Sequence, residues 1–283
     1  MPHPFERLVR FEADDGTTLY GDVTDASAVS NLVGTSVTVL DGNLEDGFSK
    51  TSRTATIKKV LSPLPSVHYF ICIGLNYKQH AEEASLAIAE NPVIFAKPPD
   101  ALAGPDDSIQ IHPVAQSQLD YEGELGVIIG LDAKNVSEDE ALDYVFGYVN
   151  SNDVSARNFQ MPASVSGGQF SFCKSFDGFA PIGPIIASPK VVPDPQALNL
   201  VTKVNGQQRQ ASSTGDMIWT VKQLISFASQ GTTLRKGTLI MTGTPSGVGL
   251  FMEPKSFLSN GDVVEISFDE LGTLRNTMRF ESK

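Results

Sequence analysis

Glu122-Gly123-Glu124 sets two carboxylates two residues apart, in a run that continues through apolar Leu125, Val127, Ile128 and Ile129. If residues 121–129 form a strand, side chains at i and i+2 share one face. Two carboxylates side by side repel unless a cation or water relieves them. In a chain with 33 acids, such a pair also fits a solvated edge. Asp153, in Ser151-Asn152-Asp153-Val154-Ser155-Ala156-Arg157, closes the next expected strand and supplies a third carboxylate. Three hard oxygen donors suit Mg2+ or Mn2+ and leave coordination positions for water and substrate. Zinc is disfavoured, because no His or Cys cluster has ligand spacing.

His80 and Glu83 form a second constellation. On a helix, residues i and i+3 are neighbours, so the carboxylate can orient the imidazole and stabilise its charge. Such a dyad can activate water as a general base; a solvated helix turn explains the same spacing. Lys174 sits among aromatics in Phe172-Cys173-Lys174-Ser175-Phe176-Asp177. It can stabilise an oxyanion if buried, or snorkel at the surface. Arg157 and Gln160 can fork onto a carboxylate, or belong to a surface loop. Thr242-Gly243-Thr244-Pro245-Ser246-Gly247-Val248-Gly249 lacks the Gly-Lys-Ser/Thr of a phosphate loop. It reads instead as glycine-permitted backbone lining a pocket.

The elements that must hold these residues are mostly strands. A hairpin is expected over 7–13 and 18–23 around Asp14-Asp15-Gly16-Thr17. Further strands are expected at 37–40, 55–60, 69–74, 93–96, 121–129, 145–149, 239–242, 263–268 and 273–280. A helix is expected over 77–89. Ser137-x-x-Glu140 reads as a capping box opening a short helix, and 220–229 as a helix closed by Gly231. Ser62-Pro63-Leu64-Pro65-Ser66 is poor for helix or central strand. It divides a small β-rich N-terminal domain, 1–61, from a main domain, 67–283. No regular βαβα rhythm appears, so the class is α+β rather than doubly wound.

Composition narrows the partners. The 283 residues carry 21 basic and 33 acidic side chains, a net charge of −12, which disfavours a nucleic-acid-coating surface. No apolar run approaches the ~18–20 residues of a membrane helix. Nothing after Met1-Pro2-His3-Pro4 resembles a secretory signal. The two cysteines, Cys72 and Cys173, lie in apolar contexts without a CxxC. The expectation is two buried thiols and a reducing compartment, cytoplasmic, with mitochondria as the alternative.

Six motifs in order are specific together. They are Ile73-Gly74-Leu75-Asn76-Tyr77-Lys78-Gln79-His80-Ala81-Glu82-Glu83, Phe95-Ala96-Lys97-Pro98, Asp120-Tyr121-Glu122-Gly123-Glu124-Leu125, Asn152-Asp153-Val154-Ser155-Ala156-Arg157-Asn158-Phe159-Gln160, Lys174-Ser175-Phe176-Asp177 and Leu239–Gly249. Over residues 67 to 280 the sequence resembles the fumarylacetoacetate hydrolase family, in particular its acylpyruvate hydrolase and oxaloacetate decarboxylase branch. The resemblance implies a mixed β-roll catalytic domain, usually a homodimer. It implies Mg2+ or Mn2+ on Glu122, Glu124 and Asp153. It makes His80 and Glu83 a catalytic pair on a lid helix, and Lys174 an electrostatic stabiliser. Tyr77, Arg157, Gln160 and Thr244 become substrate contacts. The implied reaction is hydrolysis or decarboxylation of a small dicarbonyl acid through a stabilised enolate. The alternatives are an isomerase, hydratase or pathway-specific lyase acting on a keto-enoic acid, and a keto-acid-binding protein without turnover. Retention of His80, Glu83 and Lys174 argues against the last.

Overall fold

The computed structural model describes residues 3–282. The chain opens with β1 (Arg7–Ala13), β2 (Thr18–Asp22), β3 (Ser36–Asn43) and β4 (Gly47–Val60). After the 62–66 connection come β5 (Phe70–Gly74), α1 (Lys78–Glu83), β6 (Val93–Lys97), β7 (Leu102–Ala103) and β8 (Ser108–Ile111). The middle holds β9 (Leu119–Asp120), β10 (Gly123–Ile129), β11 (Val145–Asn152), β12 (Ser155–Ala156), α2 (Ala163–Ser166) and β13 (Ala180–Ala187). The chain closes with β14 (Asn199–Val204), β15 (Gln207–Ser213), α3 (Val221–Ala228), β16 (Leu239–Met241), β17 (Val263–Phe268) and β18 (Gly272–Phe280).

The large sheet runs β2-β3-β4-β1-β13-β11-β10-β16-β5-β6, with β7 beside β13. A second sheet runs β15-β14-β17-β18-β8, and β9 pairs with β12. Parallel pairs occur at β5–β16, β8–β18 and β7–β13, and the other ladders are antiparallel. The mixed, sheet-dominated α+β class is as expected.

Alternation builds the core. Val127, Ile185 and Ile240 point into one apolar cluster. Their neighbours Ile128, Ile186 and Met241 point into another, on the opposite face. Every residue of β10 and β11 is buried, as strands covered on both faces must be. The 62–66 connection lies between β4 and β5. Across it, Arg7↔Ala187 and Leu8↔Ile186 join β1 to β13, so the first four strands extend the same sheet. Cys72 and Cys173 are free and buried, as expected.

Three local expectations need correction. The 77–89 helix ends at Glu83. Ser85 adopts φ 52, and the Leu86 N–H bonds back to the Ala81 carbonyl. That closure overrides good helix formers downstream. Ser137 Oγ does bond Glu140 Oε2 at 2.7 Å, but the turn it opens is a 3-10 segment, Ala141–Tyr144. The strand expected from 121 begins at Gly123. Ahead of it, the Glu122 N–H bonds the Asn152 side chain at 3.0 Å instead of continuing the ladder. By contrast, Thr220 and Gln223 form a complete capping box at the start of α3. Among the described residues, no helix is long and apolar enough to cross a membrane.

Candidate active site

The β10–β11 ladder sets Gly123 opposite Asn152. The acids at the start of β10 therefore meet Asp153, just beyond the end of β11. Carboxylate oxygens of Glu122, Glu124 and Asp153 all lie within 4.8 Å of one another. Gly123 between them is required by close approach. A Cβ there would come within 2.3 Å of Thr202 Oγ1 on β14.

These acids are buried, so they need partners. Lys174 Nζ bridges Glu122 Oε2 at 2.8 Å and Asp153 Oδ2 at 2.6 Å. Lys97 Nζ lies 2.6 Å from Asp153 Oδ1. Arg157 reaches Glu122 Oε1 at 2.6 Å through Nη2 and Asp120 Oδ2 at 2.9 Å through Nε. Glu124 accepts the Gly243 N–H at 2.9 Å and, among the described residues, has no basic partner. Burial pushes the Glu122 carboxyl up, but Lys174 and Arg157 outweigh it and bring it down to about 2. The Glu124 carboxyl is held well above its ordinary range by burial, then by Asp153 and Glu122.

A charge count explains the contrast. Asp120, Glu122, Glu124 and Asp153 contribute four negative charges; Lys97, Lys174 and Arg157 contribute three positive ones. One negative charge is left over, concentrated at Glu124. A divalent cation held by the three carboxylates would convert that deficit into one net positive charge, suited to an anionic ligand. The donor set, three hard oxygens, fits such a cation.

The opposite wall is α1. Its base is fixed by Asn76, whose side chain donates to the Thr242 carbonyl at 2.7 Å and accepts the Trp219 N–H at 2.8 Å. His80 Nδ1 lies 2.9 Å from Glu83 Oε2. A carboxylate only accepts, so Nδ1 carries the proton and Nε2 is the basic nitrogen. Glu83 Oε1 accepts the Gly247 N–H at 2.9 Å, tying α1 to the glycine-rich loop. Phe251 packs edge-on against the His80 ring at 5.6 Å.

Between these walls lies a cavity. His80, Glu122, Arg157, Gln160, Lys174 and Thr244 all line it. Leu86, Phe95, Met161, Phe170, Leu250 and Phe251 supply apolar lining. Glu124, Asp153 and Glu83 do not line the cavity themselves; they reach it through Glu122, Lys174 and His80. Lys174 is 2% exposed, so it is no snorkelling surface lysine. Gln160 Oε1 accepts from Arg157 Nη1 at 2.7 Å, so the two are already joined. Tyr77, expected as a substrate contact, is fully buried and does not line the cavity. It occupies the N-cap of α1.

Sequence reasoning gave no role to three residues that hold the site. Lys97 donates to the Val154 carbonyl at 3.3 Å as well as pairing with Asp153. Its signal was a lysine placed inside an apolar strand. Asp120 also accepts the Gly249 and Leu250 N–H groups at 2.8 and 3.0 Å. It thereby links Arg157 to the segment that carries Phe251. Gln210, on β15, bonds both Gly123 and Thr244. It lies in the run Gln207-Gln208-Arg209-Gln210, which offers no sign of burial.

Residues 69–279 match the family described as "Fumarylacetoacetate (FAA) hydrolase C-terminal". A Dictyostelium discoideum protein named fumarylacetoacetate hydrolase domain-containing protein 2 homolog is 47% identical over 218 residues, 74% of this chain and 70% of that protein. Oxaloacetate tautomerase YisK of Bacillus subtilis is 43% identical over 216 residues, 76% of this chain and 70% of that protein. The crystal structure of a 2-hydroxyhepta-2,4-diene-1,7-dioate isomerase from Mycobacterium marinum matches with a TM-score of 0.82 at 31% identity. It covers 98% of this chain and 100% of that one.

Proposed function

The chain belongs to the fumarylacetoacetate hydrolase family, and from that premise we propose that it is a Mg2+- or Mn2+-dependent enzyme interconverting the keto and enol forms of a small 2-oxo acid of the oxaloacetate type. One observation carries this reading. His80, oriented by Glu83, lines a single cavity together with Lys174, Arg157 and Glu122, one of the three clustered carboxylates. The names of two relatives, a tautomerase and an isomerase, favour proton transfer over bond cleavage.

His80 Nε2 removes a proton from the carbon beside the 2-oxo group and passes it to the oxo oxygen, giving the enol; the reverse transfer regenerates the keto form. Glu83 holds Nδ1–H and stabilises the imidazolium while the proton is there. Lys174 and Arg157, fixed by Glu122, Asp153 and Asp120, give positive potential where charge develops on oxygen. Gln160 extends that donor surface. A divalent cation on Glu122, Glu124 and Asp153 would supply Lewis-acid polarisation of the oxo group.

The same dyad can deprotonate water, which is what hydrolysis of an acylpyruvate requires; decarboxylation of oxaloacetate needs only the enolate stabilisation. C–C cleavage is therefore the second reading. Enol decay of oxaloacetate, followed by absorbance with Mg2+, Mn2+ or chelator, separates the two. Metal-dependent acceleration without pyruvate release is expected, with His80→Ala losing about 10²-fold or more. Pyruvate release at the same rate would favour cleavage, and no acceleration by the wild type would reject the tautomerase. The proposal includes a homodimer, a cytoplasmic location, and a division of the chain into a small N-terminal domain, 1–61, and a catalytic domain, 67–283.

A further inference from the structure

Gln210 and Thr244 form a buried relay behind the cavity wall; they are 1% and 4% exposed. Backbone partners fix which way the Gln210 amide faces. Its Oε1 meets the Gly123 N–H at 3.0 Å, a group that only donates. Its Nε2 meets the Pro245 carbonyl at 2.9 Å, a group that only accepts. The same Nε2 donates to Thr244 Oγ1 at 2.8 Å. Thr244 Oγ1 in turn lies 3.0 Å from the Gly123 carbonyl, which also only accepts. The threonine proton therefore goes to Gly123, and Gln210 fills one lone pair. What remains for the cavity that Thr244 lines is its second lone pair.

We propose that Thr244 meets substrate as a hydrogen-bond acceptor, a polarity fixed jointly by the Gly123 carbonyl and by Gln210 as positioning residue, so that the site selects a ligand hydroxyl, the enol form of a 2-oxo acid, over the carbonyl form. Carboxylate and oxo oxygens carry no proton and gain nothing from this contact. The identity of that hydroxyl as an enol rests on the tautomerase reading. The polarity of Thr244 rests on the four hydrogen bonds alone.

Calorimetric titration of the full chain, saturated with Mg2+, tests the polarity with two probes. Malate presents a hydroxyl; dimethyloxaloacetate presents an oxo group that cannot enolise. Thr244→Val is expected to weaken malate about tenfold, the worth of one hydrogen bond. It should change dimethyloxaloacetate less than about twofold. Thr244→Ser should restore the wild-type gap between probes. Gln210→Leu should narrow it, because the freed hydroxyl can turn and donate to the oxo acid. Urea unfolding of each variant verifies that it is folded. Equal weakening of both probes by Thr244→Val, or selective loss of the oxo acid, overturns the proposal. Failure of the wild type to tautomerise oxaloacetate rejects the proposed reaction but leaves the probe gap readable.

Discussion

The two walls of the cavity are built on opposite principles. The floor, around Glu122, Glu124 and Asp153, is a knot of charges where two fully buried strands, β10 and β11, meet. Each basic group in it has at least one carboxylate partner. The roof, α1, is a six-residue helix held through Asn76 and Tyr77 at its base, by the Gln79 N–H on Asp216, and by the Gly247 N–H on Glu83. So short a helix has no stability of its own in water. In the floor, electrostatics in a dry interior fixes position. In the roof, a few hydrogen bonds at the ends of a short helix fix position instead.

The sharpest way to break the contrast is Lys97→Met. It leaves Asp153 with one cation fewer in the interior and should cost about 3–5 kcal/mol in urea unfolding, as removal of one partner of a buried pair does. A loss no larger than that of an exposed pair would show the floor to be solvated.

Glu124→Gln should act in the other direction on the metal-free chain. The Glu124 carboxyl is held high by burial, Asp153 and Glu122. Its ionisation therefore opposes folding as pH rises, and a neutral amide relieves that. Unfolding midpoints without metal should be unchanged or raised. The stabilisation by saturating Mg2+ or Mn2+, about 2.7 kcal/mol at one hundred times Kd, should vanish. Glu122 has the opposite sign. Its folded pKa of about 2 lies below the model-compound value of 4.5, so its contribution is present above that value and lost as pH falls towards 2. The stability difference between metal-free wild type and Glu122→Gln should be constant above that window and shrink within it as pH falls.

The smallest effect belongs to the roof. Glu83→Ala should cost about 2 kcal/mol of global stability, the worth of its two hydrogen bonds to His80 and Gly247. Hydrogen exchange of the Gly247 amide should nevertheless accelerate, because its acceptor is gone. An unchanged exchange rate would show that α1 is held by something else.

Much of this was legible in the sequence because local order and local chemistry agreed. The three carboxylates, the His80–Glu83 pair and the hairpins each sit in a pattern that short-range rules decode. The length of α1 was not legible, since residues 84–90 are good helix formers and nothing in their types announces the left-handed turn at Ser85 that closes the helix onto Ala81. Lys97 and Asp120 lay inside motifs, yet their roles depend on partners 56 and 37 residues away. Gln210 carried no signal, because a polar run on a strand looks solvent-facing until a second sheet is seen to cover it.

Gly123 has a consequence for how this chain can diverge. A side chain there must displace Thr202 in the other sheet before it can exist. The spacing of the two glutamates is thus insulated from single mutational steps, since any drift requires matched changes in two sheets at once. Leu86 and Met161, half exposed at the mouth, are under no such constraint. Selection can therefore remodel the mouth one substitution at a time while the carboxylate geometry stays frozen, which is how one reactive centre can be passed from substrate to substrate.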